Sequence, residues 1–373
     1  MRHFEVAIAG LGAMGSAAAY HLSRRGIEVI GFDRFLPPHT KGSSHGETRI
    51  IRVAYFEDPR YVPFVSRAWS LWLDLEMERE TSLLRQTGGL MIGPPDGPVA
   101  GGALKSALAH DLPHERLDAE TLMRRYPAHR VEPGDVAVWE PQAGFLDPEG
   151  CVAAHVQGAR IAGAELHGDE PVLEWRPEGA GVVVRTAKEE YGADRLILAA
   201  GAWLPRLLPG RSAEFTVTRQ PLFWFEPSEN AALFDPGRFP IFIREHQPRR
   251  YIYGFPMLGG RIKFAIHMEG EVADPDTLRR TAGDEEVEAI RAILDRCLPG
   301  AAGTCVERAV CMYTNTADEH FRLGPLPEHP QVLVASCCSG HGFKFAPAVG
   351  EALADLVEGK DPQVDLGLFA LES

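Results

Sequence analysis

A single cysteine, Cys311, stands in the apolar stretch "RAVCMYT", with no neighbouring cysteine to share a metal ion. A buried cysteine is often only a small hydrophobic residue, but a nucleophilic or cofactor-linked thiol can occupy the same kind of position. The six cysteines are scattered, without a CxxC pair or a His-rich segment, so the sequence indicates neither a zinc site nor a disulfide framework. The local sequence leaves the role of Cys311 open.

Cations in short conspicuous segments could hold an anion. Of 38 basic residues only six are lysines, so a lysine among apolar neighbours needs a reason. In "GRIKFAIHMEG", strand alternation puts Lys263 and His267 on one face, about 13 Å apart at about 3.3 Å per residue. Either this segment belongs to a sheet with one solvent-exposed face, or Lys263 faces a cleft.

The segment "GSSHGETRIIR" carries two arginines three residues apart, Arg49 and Arg52. Ser44 and Glu47 have the spacing of a capping box, which predicts the start of a helix. On a helix the two arginines would share a face, either solvated or presented as a clamp for a carboxylate or phosphate.

Glycines precede a second helix start in "SGHGFKFAPAVGEALADLV", where Gly340 and Gly342 flank a histidine and Pro347 suits an early helical position. A helix N-terminus with free N–H groups favours an anion, and Lys344 adds positive charge there. The pattern indicates an anion-holding site.

The N-terminal stretch "HFEVAIAGLGAMGSAAAYHLSRRGIEVIGFDR" predicts strand, tight turn, helix and strand. Gly10, Gly12 and Gly15 form G-x-G-x-x-G at the turn, and Asp33 ends the second strand, where an acid accepts hydrogen bonds from ribose hydroxyls. This context indicates a dinucleotide. Asp33 would repel the 2′-phosphate of NADP, which leaves FAD and NAD.

The rest of the chain does not continue as βαβ units. Residues 216–268 alternate or run apolar at short spacing with Gly and Pro between, which predicts an antiparallel sheet. The sequence therefore predicts an α/β (α+β) protein with a discontinuous Rossmann-like dinucleotide domain and a mostly antiparallel substrate domain. The predicted dinucleotide domain covers residues 1–85, 150–215 and 321–373; the predicted substrate domain covers 86–149 and 216–320.

Charge and composition exclude some classes of partner. The net charge of −14 argues against nucleic acid or an anionic membrane, so an anionic substrate needs local cations. The chain reaches the glycine-rich turn by residue 10, and no apolar run approaches the roughly 20 residues of a spanning helix. We expect a cytoplasmic protein with reduced cysteines.

Together these segments resemble the monomeric sarcosine oxidase family of flavoprotein amine oxidases. The resemblance runs nearly end to end and is carried by "GLGAMG", "PPHTKGSSHGETRIIRVAY", "YIYGFP", "CMYTNTADEHF" and "SGHGFKF". It implies an FAD-binding domain beside an antiparallel substrate domain, and oxidation of a secondary amino acid by O₂ to an imine and hydrogen peroxide. It also implies a monomer without a metal.

The resemblance also implies roles for single residues. Cys311 matches the cysteine that forms a thioether to the flavin, and Lys263 matches the lysine that activates oxygen. Arg52 and Lys344 match a clamp for the substrate carboxylate, while Tyr253, His267, Tyr313 and Gly340 match pocket residues, and His45 and Arg49 match basic residues near the flavin. FAD would further contact Gly10, Gly12, Ala13, Met14, Gly15, Asp33, Arg34, Ser43, Ser44, Thr48, Arg49, Gly201, Met312, Gly340, Gly342, Phe343 and Lys344.

The chain departs from the family pattern around the pocket. Ser44-His45 stands where the family commonly has two histidines, and the strand at "GGRIKF" is one residue shorter. The accepted amine is therefore open, and an oxidase or dehydrogenase of a cyclic imino acid such as pipecolate or proline is an alternative. An NAD-linked dehydrogenase and a flavin-binding sensor without turnover are weaker alternatives, because the first leaves Cys311 and Lys263 unexplained.

Overall fold

The computed structural model describes residues 1–372. Its strands, in chain order, are β1 (Arg2–Ala9), β2 (Val29–Phe32), β3 (Arg49–Arg52), β4 (Leu84–Gln86), β5 (Gly89–Gly93), β6 (Glu115–Asp118), β7 (Val136–Glu140), β8 (Ala143–Leu146), β9 (Glu165–His167), β10 (Val172–Glu178), β11 (Gly181–Thr186), β12 (Glu190–Leu198), β13 (Thr216–Phe225), β14 (Ile241–Gln247), β15 (Arg250–Gly254), β16 (Ile262–His267), β17 (Cys305–Asn315), β18 (Arg322–Leu326) and β19 (His329–Ser336).

The α-helices are α1 (Ala13–Arg24), α2 (Val62–Arg79), α3 (Pro98–Ala109), α4 (Ala119–Arg125), α5 (Pro148–Ile161), α6 (Leu204–Leu207), α7 (Asp284–Cys297) and α8 (Ala346–Val357). Short 3₁₀ turns cover Pro59–Tyr61, Gly201–Trp203, Pro209–Glu214, Ala231–Phe234, Phe343–Phe345 and Gly367–Phe369. Within residues 1–372, no helix combines the length and the apolar character needed to span a membrane.

The first sheet has a parallel centre. In it β9, β2, β1, β12 and β19 lie side by side and pair in parallel. Beyond this centre, β11 pairs antiparallel with β12 and with β10, and β18 pairs antiparallel with β19. The fully buried run Val29–Phe32 of β2 is typical of a strand covered on both faces.

Helix α1 packs against α8 and α5 beside this sheet. A Cβ at Gly350 of α8 would lie 2.5 Å from the carbonyl carbon of Ala17, so the two helices can approach this closely only where α8 carries a glycine. The strand-turn-helix-strand order predicted for the N-terminus is confirmed, and with it the Rossmann-like fold.

The second sheet has the strand order β17-β13-β16-β15-β14-β5-β7-β6 and is antiparallel except where β14 meets β5. One face packs on the phenylalanine-rich core around α7, which includes Phe223, Phe242 and Phe264. The prediction of a mostly antiparallel second sheet is confirmed. A small antiparallel sheet, β3-β8-β4, completes the sheet structure of residues 1–372. The domain ranges drawn from the sequence remain a prediction.

The helix predicted to start at Ser44 is wrong. Arg49–Arg52 forms strand β3, which pairs with Ala143–Leu146 of β8. The hydroxyl of Ser44 accepts a hydrogen bond of 3.2 Å from the backbone N–H of Ala13, so it satisfies the first turn of α1 instead of a helix of its own. A capping pattern is local, whereas pairing with β8 is decided by residues about a hundred positions away.

Candidate active site

A cavity of about 390 Å³ is lined by residues of both large sheets and extends from the glycine-rich turn to β17 and the start of α8. Most of the site residues predicted from the sequence line it: Gly10, Gly12, Ala13, Met14, Asp33, Arg34, Ser43, Ser44, Arg49, Arg52, Gly201, Tyr253, His267, Cys311, Met312, Tyr313, Gly340, Gly342, Phe343 and Lys344. The other predicted residues, Gly15, His45, Thr48 and Lys263, are buried and do not line it. The fold thus brings most of these residues together around one cavity, and their roles remain predictions.

The glycine-rich turn leaves room for a ligand at one position. Gly10 has φ +97°, and a Cβ at Gly15 would strike the carbonyl oxygen of Gly10, so the protein itself requires both glycines. A Cβ at Gly12 would meet only the Ser44 hydroxyl oxygen, at an ordinary contact distance of 3.5 Å. The protein therefore tolerates a side chain at position 12, and glycine there keeps the cavity open beside the N-terminus of α1, where a phosphate would be stabilised.

Asp33 ties the turn to the end of β2. One carboxylate oxygen accepts a 2.7 Å hydrogen bond from the backbone N–H of Leu11, and the other accepts one of 2.9 Å from Phe35. The second oxygen also lies 3.2 Å from Nε2 of His39. Asp33 lines the cavity, so it combines this structural role with the position predicted for a ribose contact.

Cys311 lies on β17 against the loop that precedes β3. Its sulfur is 3.3 Å from Nη2 of Arg49, and the thiol donates to the carbonyl oxygen of Ser43 at 3.5 Å. A cation beside a sulfur stabilises negative charge on it, and the thiolate is the nucleophilic form of cysteine. The neighbouring His45 stays neutral near pH 7, because burial and the charge of Arg49 lower its pKa to about 3.

Lys263 on β16 is turned toward the same loop. Its Nζ donates to the carbonyl oxygens of Gly46 at 2.6 Å and Thr48 at 2.8 Å, and the Thr48 hydroxyl oxygen lies 3.2 Å away. Burial and the nearby Arg49 lower the pKa of Lys263 well below its ordinary value. The two carbonyl oxygens, in contrast, can only accept hydrogen bonds and favour a protonated amine.

Arg52, at the end of β3, has an anionic partner. It is 1% exposed and donates hydrogen bonds of 2.7 and 2.6 Å to the two carboxylate oxygens of Glu57. Its guanidinium carbon lies 4.3 Å from the ring centre of Tyr55 and 4.1 Å from that of Phe56. Burial opposes ionisation of Glu57, but the charges of Arg52, His341 and Lys344 outweigh it and lower the pKa of Glu57 to about 2.

Lys344 supplies the second buried cation of the predicted clamp. Its Nζ donates to the carbonyl oxygen of His341 at 2.5 Å and lies 3.5 Å from the hydroxyl oxygen of Tyr55. Burial, with a further effect from Arg52, lowers the pKa of Lys344 to about 7. An anion bound here would favour the charged form of this lysine.

An aromatic wall faces these cations. Nδ1 of His267 lies 3.2 Å from the hydroxyl oxygen of Tyr313, and the ring of Tyr253 stands 6.1 Å from the His267 ring. A Cβ at Gly340 would lie 2.7 Å from the Tyr313 ring, so only glycine fits there. Burial lowers the pKa of His267 to about 4, and its imidazole is therefore neutral near pH 7.

Three residues of the site were missed by the sequence analysis. Glu57 and Phe56 lie in an irregular segment after β3 whose spacing carries no periodic signal. Glu140, at the end of β7, is buried and accepts hydrogen bonds from the backbone N–H groups of Ala54 at 2.7 Å and Val53 at 3.3 Å. It fixes the backbone directly after Arg52, and burial raises its pKa to about 7.

The chain is similar to known flavin-dependent enzymes over nearly its full length. The model of the family described as FAD dependent oxidoreductase matches residues 5–356. The monomeric sarcosine oxidase of Streptomyces avermitilis is 44% identical over 370 residues, which cover 98% of this chain and 96% of that protein. The N-methyl-L-tryptophan oxidase of Salmonella agona is 35% identical over 370 residues, covering 99% of this chain and 98% of that protein.

A solved structure has the same fold. NikD, an amino acid oxidase essential for nikkomycin biosynthesis, superimposes with a TM-score of 0.86 at 23% sequence identity, covering 100% of this chain and 98% of NikD. At this level of identity the likeness concerns the fold alone.

Proposed function

The chain belongs to the FAD-dependent oxidoreductase family, within its group of monomeric sarcosine oxidases and N-methyl-L-tryptophan oxidases, and we propose that it oxidises a small secondary amino acid such as sarcosine. With sarcosine, O₂ and water as reactants, the products are glycine, formaldehyde and hydrogen peroxide. The observation that carries the proposal is the meeting of Arg52 and Lys344 with Cys311 and the glycine-rich turn in one cavity.

The residues present fit FAD. The open space beside Gly12 and the N-terminus of α1 suits the pyrophosphate, and Asp33 lines the cavity where a ribose would lie. When bound, FAD supplies a two-electron acceptor that takes a hydride equivalent from the carbon beside the amine nitrogen and passes the electrons to O₂. We propose that Cys311 carries this cofactor as a thioether, supported by the cationic contact of its sulfur with Arg49.

Arg52 and Lys344 hold the substrate carboxylate in this proposal. Both are buried, and charge-assisted hydrogen bonds are strong where water is excluded. Glu57 accepts both of its hydrogen bonds from Nη2 of Arg52, so a substrate carboxylate that uses this nitrogen competes with the Glu57 carboxylate. Exchange of one carboxylate for the other would keep Nη2 of Arg52 paired.

His267 and Tyr313 hold the amine end. The imidazole of His267 is neutral near pH 7 and lies within hydrogen-bond distance of the Tyr313 hydroxyl, so one ring nitrogen can accept a hydrogen bond from the substrate N–H. The neutral amine is the form that can lose a hydride, because protonation uses the electron pair of the nitrogen.

Lys263 stabilises the negative charge that develops on O₂. Two carbonyl oxygens fix its Nζ, so a positive charge can stand ready without reorganisation when the oxygen is reduced. The rings of Phe255 and Trp224 lie 4.9 and 5.4 Å from this nitrogen and exclude water from it. Hydrogen peroxide is the expected product.

We further propose that the enzyme works as a cytoplasmic monomer. The name of the Streptomyces relative, monomeric sarcosine oxidase, supports the monomer, and the cysteines of residues 1–372 form no disulfide, as a reducing compartment favours.

The test has two steps. Purified protein precipitated with acid is expected to stay yellow, and sarcosine is expected to bleach the flavin without O₂ and to yield peroxide with O₂. Bleaching by proline or pipecolate but not by sarcosine would favour a cyclic imino acid as the substrate. A colourless protein, or a yellow one bleached by no amine, would overturn the proposal.

A further inference from the structure

Tyr55 contacts both cations of the carboxylate clamp, Arg52 and Lys344. The guanidinium carbon of Arg52 lies 4.3 Å from the centre of the Tyr55 ring, and Nζ of Lys344 lies 3.5 Å from the Tyr55 hydroxyl oxygen. The ring of Tyr61 stacks on that of Tyr55 with 4.9 Å between the ring centres. Tyr55 is fully buried and does not line the cavity, so it can affect a ligand there only through the residues that it contacts.

The hydrogen bonds of His341 determine where the hydroxyl proton of Tyr55 lies. Burial lowers the pKa of His341 to about 3, so the imidazole is neutral and carries one N–H. Nε2 lies 3.1 Å from the carbonyl oxygen of Glu319, which can only accept, so Nε2 carries that proton. Nδ1 is then an acceptor, and the hydroxyl of Tyr55 donates to it at 2.6 Å. Burial raises the pKa of Tyr55 well above its ordinary value, so the hydroxyl keeps its proton.

The oxygen of Tyr55 is therefore an acceptor toward Lys344. The carbonyl oxygen of His341, 2.5 Å from Nζ, is a second acceptor, and these two are the partners of Nζ within residues 1–372. An ammonium group has three N–H donors, so one donor remains. Because Lys344 lines the cavity, this third N–H is the one that a carboxylate in the cavity would meet.

The other charged and titratable groups around Lys344 are Arg52, Glu57 and His267. Burial and the charge of Arg52 lower the pKa of Lys344, and the charge of Glu57 raises it. His267 is neutral near pH 7, because burial lowers its pKa to about 4. The two neutral oxygen acceptors thus act together with Glu57 in favour of the ammonium form.

We propose that Tyr55 and His341 are positioning residues for the clamp: the ring of Tyr55 packs against Arg52, and its hydroxyl oxygen, oriented by His341, directs Lys344 toward the same carboxylate. Tyr55 thereby fixes the spacing of the two cations and the direction of the free N–H of Lys344. The effect on a ligand rests on the proposed function, since it assumes that Arg52 and Lys344 hold the substrate carboxylate.

The first experiment compares Tyr55→Phe with Tyr61→Phe in the flavin-loaded enzyme by calorimetry with acetate. Tyr55→Phe keeps the ring beside Arg52 but removes the acceptor oxygen, so the affinity should fall about fivefold. Since the ammonium form loses an acceptor, the pH at which the affinity declines should also move down, which a general loss of packing would not cause. Tyr61→Phe removes an equally buried hydroxyl that lies 3.1 Å from Nδ1 of His320, and it should behave as the wild type.

His341→Phe tests the same contact from its other end. The variant keeps a ring to stack on Phe321 but removes Nδ1. The Tyr55 hydroxyl then turns to the carbonyl oxygen of residue 341, 3.3 Å away, where it competes with Lys344. Acetate affinity and its pH dependence should change in the same direction as in Tyr55→Phe.

A measurement without a ligand separates this inference from the proposed function. The chain has six lysines, so the signal of the Lys344 ε-methylene group can be assigned with Lys344→Arg and its titration followed by NMR. The signal should titrate at lower pH in Tyr55→Phe and His341→Phe than in the wild type or Tyr61→Phe. If it does so although acetate does not bind, the carboxylate clamp of the proposed function fails while Tyr55 still positions Lys344. A titration and an acetate affinity that match the wild type in both Tyr55→Phe and His341→Phe would overturn the inference.

Discussion

The guanidinium of Arg52 is joined to the carboxylate of Glu57 by hydrogen bonds of 2.7 and 2.6 Å, although the sequence indicated Arg52 as a cation for the substrate. A buried arginine without a partner would be costly, because desolvation of its charge would not be offset. Glu57 provides that partner five residues along the chain. The Arg52–Glu57 pair therefore offsets the burial of the Arg52 charge. Glu57 also competes with any other carboxylate for the same nitrogen of Arg52.

Glu57→Gln should strengthen binding of acetate and of other simple carboxylates. The amide keeps the shape of the side chain but removes the charge, so Arg52 exchanges a neutral partner for a charged one on ligand binding. Hydrogen bonds to charged groups exceed neutral ones by about 1 kcal/mol, which corresponds to roughly fivefold in affinity. The dissociation constant is measured by calorimetry or from the change in flavin absorbance.

Asp58→Asn is the matched control for this prediction. Asp58 is the adjacent acid and pairs with the exposed Arg60, so the variant removes the same charge outside the Arg52 contact. An equal gain in affinity in both variants would mean that long-range charge, and not competition for Arg52, governs carboxylate binding.

Cys311→Ser should yield a folded protein whose flavin is extracted by acid. The hydroxyl of serine cannot replace the thiol as the nucleophile, while the turn at Gly10–Gly15 still offers its non-covalent contacts. Flavin fluorescence of the denatured polypeptide on a gel measures the covalent link. Cys338→Ser, which changes another thiol that lines the cavity, should retain the link. Flavin that remains attached in Cys311→Ser would assign the tether to a different residue.

Gly12→Ala should lose FAD without losing the fold, whereas Gly15→Ala should damage the fold itself. At position 12 the added Cβ has room within the protein but projects where the backbone must approach the pyrophosphate, whereas at position 15 it strikes the carbonyl of Gly10. FAD per polypeptide and the unfolding temperature of the FAD-free proteins separate the two effects. If Gly12→Ala keeps full FAD content, the pyrophosphate lies elsewhere.

Local chemistry explains which parts of the structure were predictable. The glycine spacing and the alternation along β13–β16 each depend on neighbours in sequence, and the fold class derived from them is correct. The segment from Ser44 to Arg52 was wrongly predicted as a helix, because its capping pattern is satisfied instead by α1 and its strand partner is β8.

The electrostatic pairing in the site could not be predicted in the same way. Glu57 and Glu140 are ordinary acids in the sequence, and only the fold places Glu57, half-buried, beside Arg52 and Glu140, buried, beside the backbone that follows it. Lys263 shows the same limit, because strand alternation placed it on a face but could not show that its ammonium points to the carbonyls of Gly46 and Thr48.

Carboxylate binding should weaken as the pH rises through about 7. Burial lowers the pKa of Lys344 to about 7, so this lysine is charged below that pH and loses its proton above it. A bound carboxylate favours the charged form, and binding above pH 7 must then be accompanied by proton uptake. Calorimetry of acetate binding in buffers with different ionisation enthalpies measures both the affinity and the protons.

Lys344→Arg provides the control for this pH dependence, because arginine stays charged throughout the range. In this variant the affinity for acetate should no longer fall as the pH rises through about 7. Glu140 titrates in the same range, since burial raises its pKa to about 7, and its ionisation would also weaken anion binding near Arg52. If the fall in acetate affinity near pH 7 persists in Lys344→Arg and is absent in Glu140→Gln, the effect belongs to Glu140.

Lys263→Met should slow the oxidation of the reduced enzyme by O₂ much more than the reduction of the enzyme by amine. Removing a fixed group that stabilises a developing negative charge costs about 100-fold or more in rate. Methionine preserves the length of the side chain but leaves the carbonyl oxygens of Gly46 and Thr48 without their partner, so some loss of stability is also expected. Stopped-flow measurement of the two half-reactions separates the loss of charge from a general disturbance, which would slow both.

Lys105→Met, on the exposed face of α3, should change neither rate. If reoxidation of Lys263→Met proceeds at the wild-type rate, Lys263 only braces the loop before β3, and another group activates oxygen.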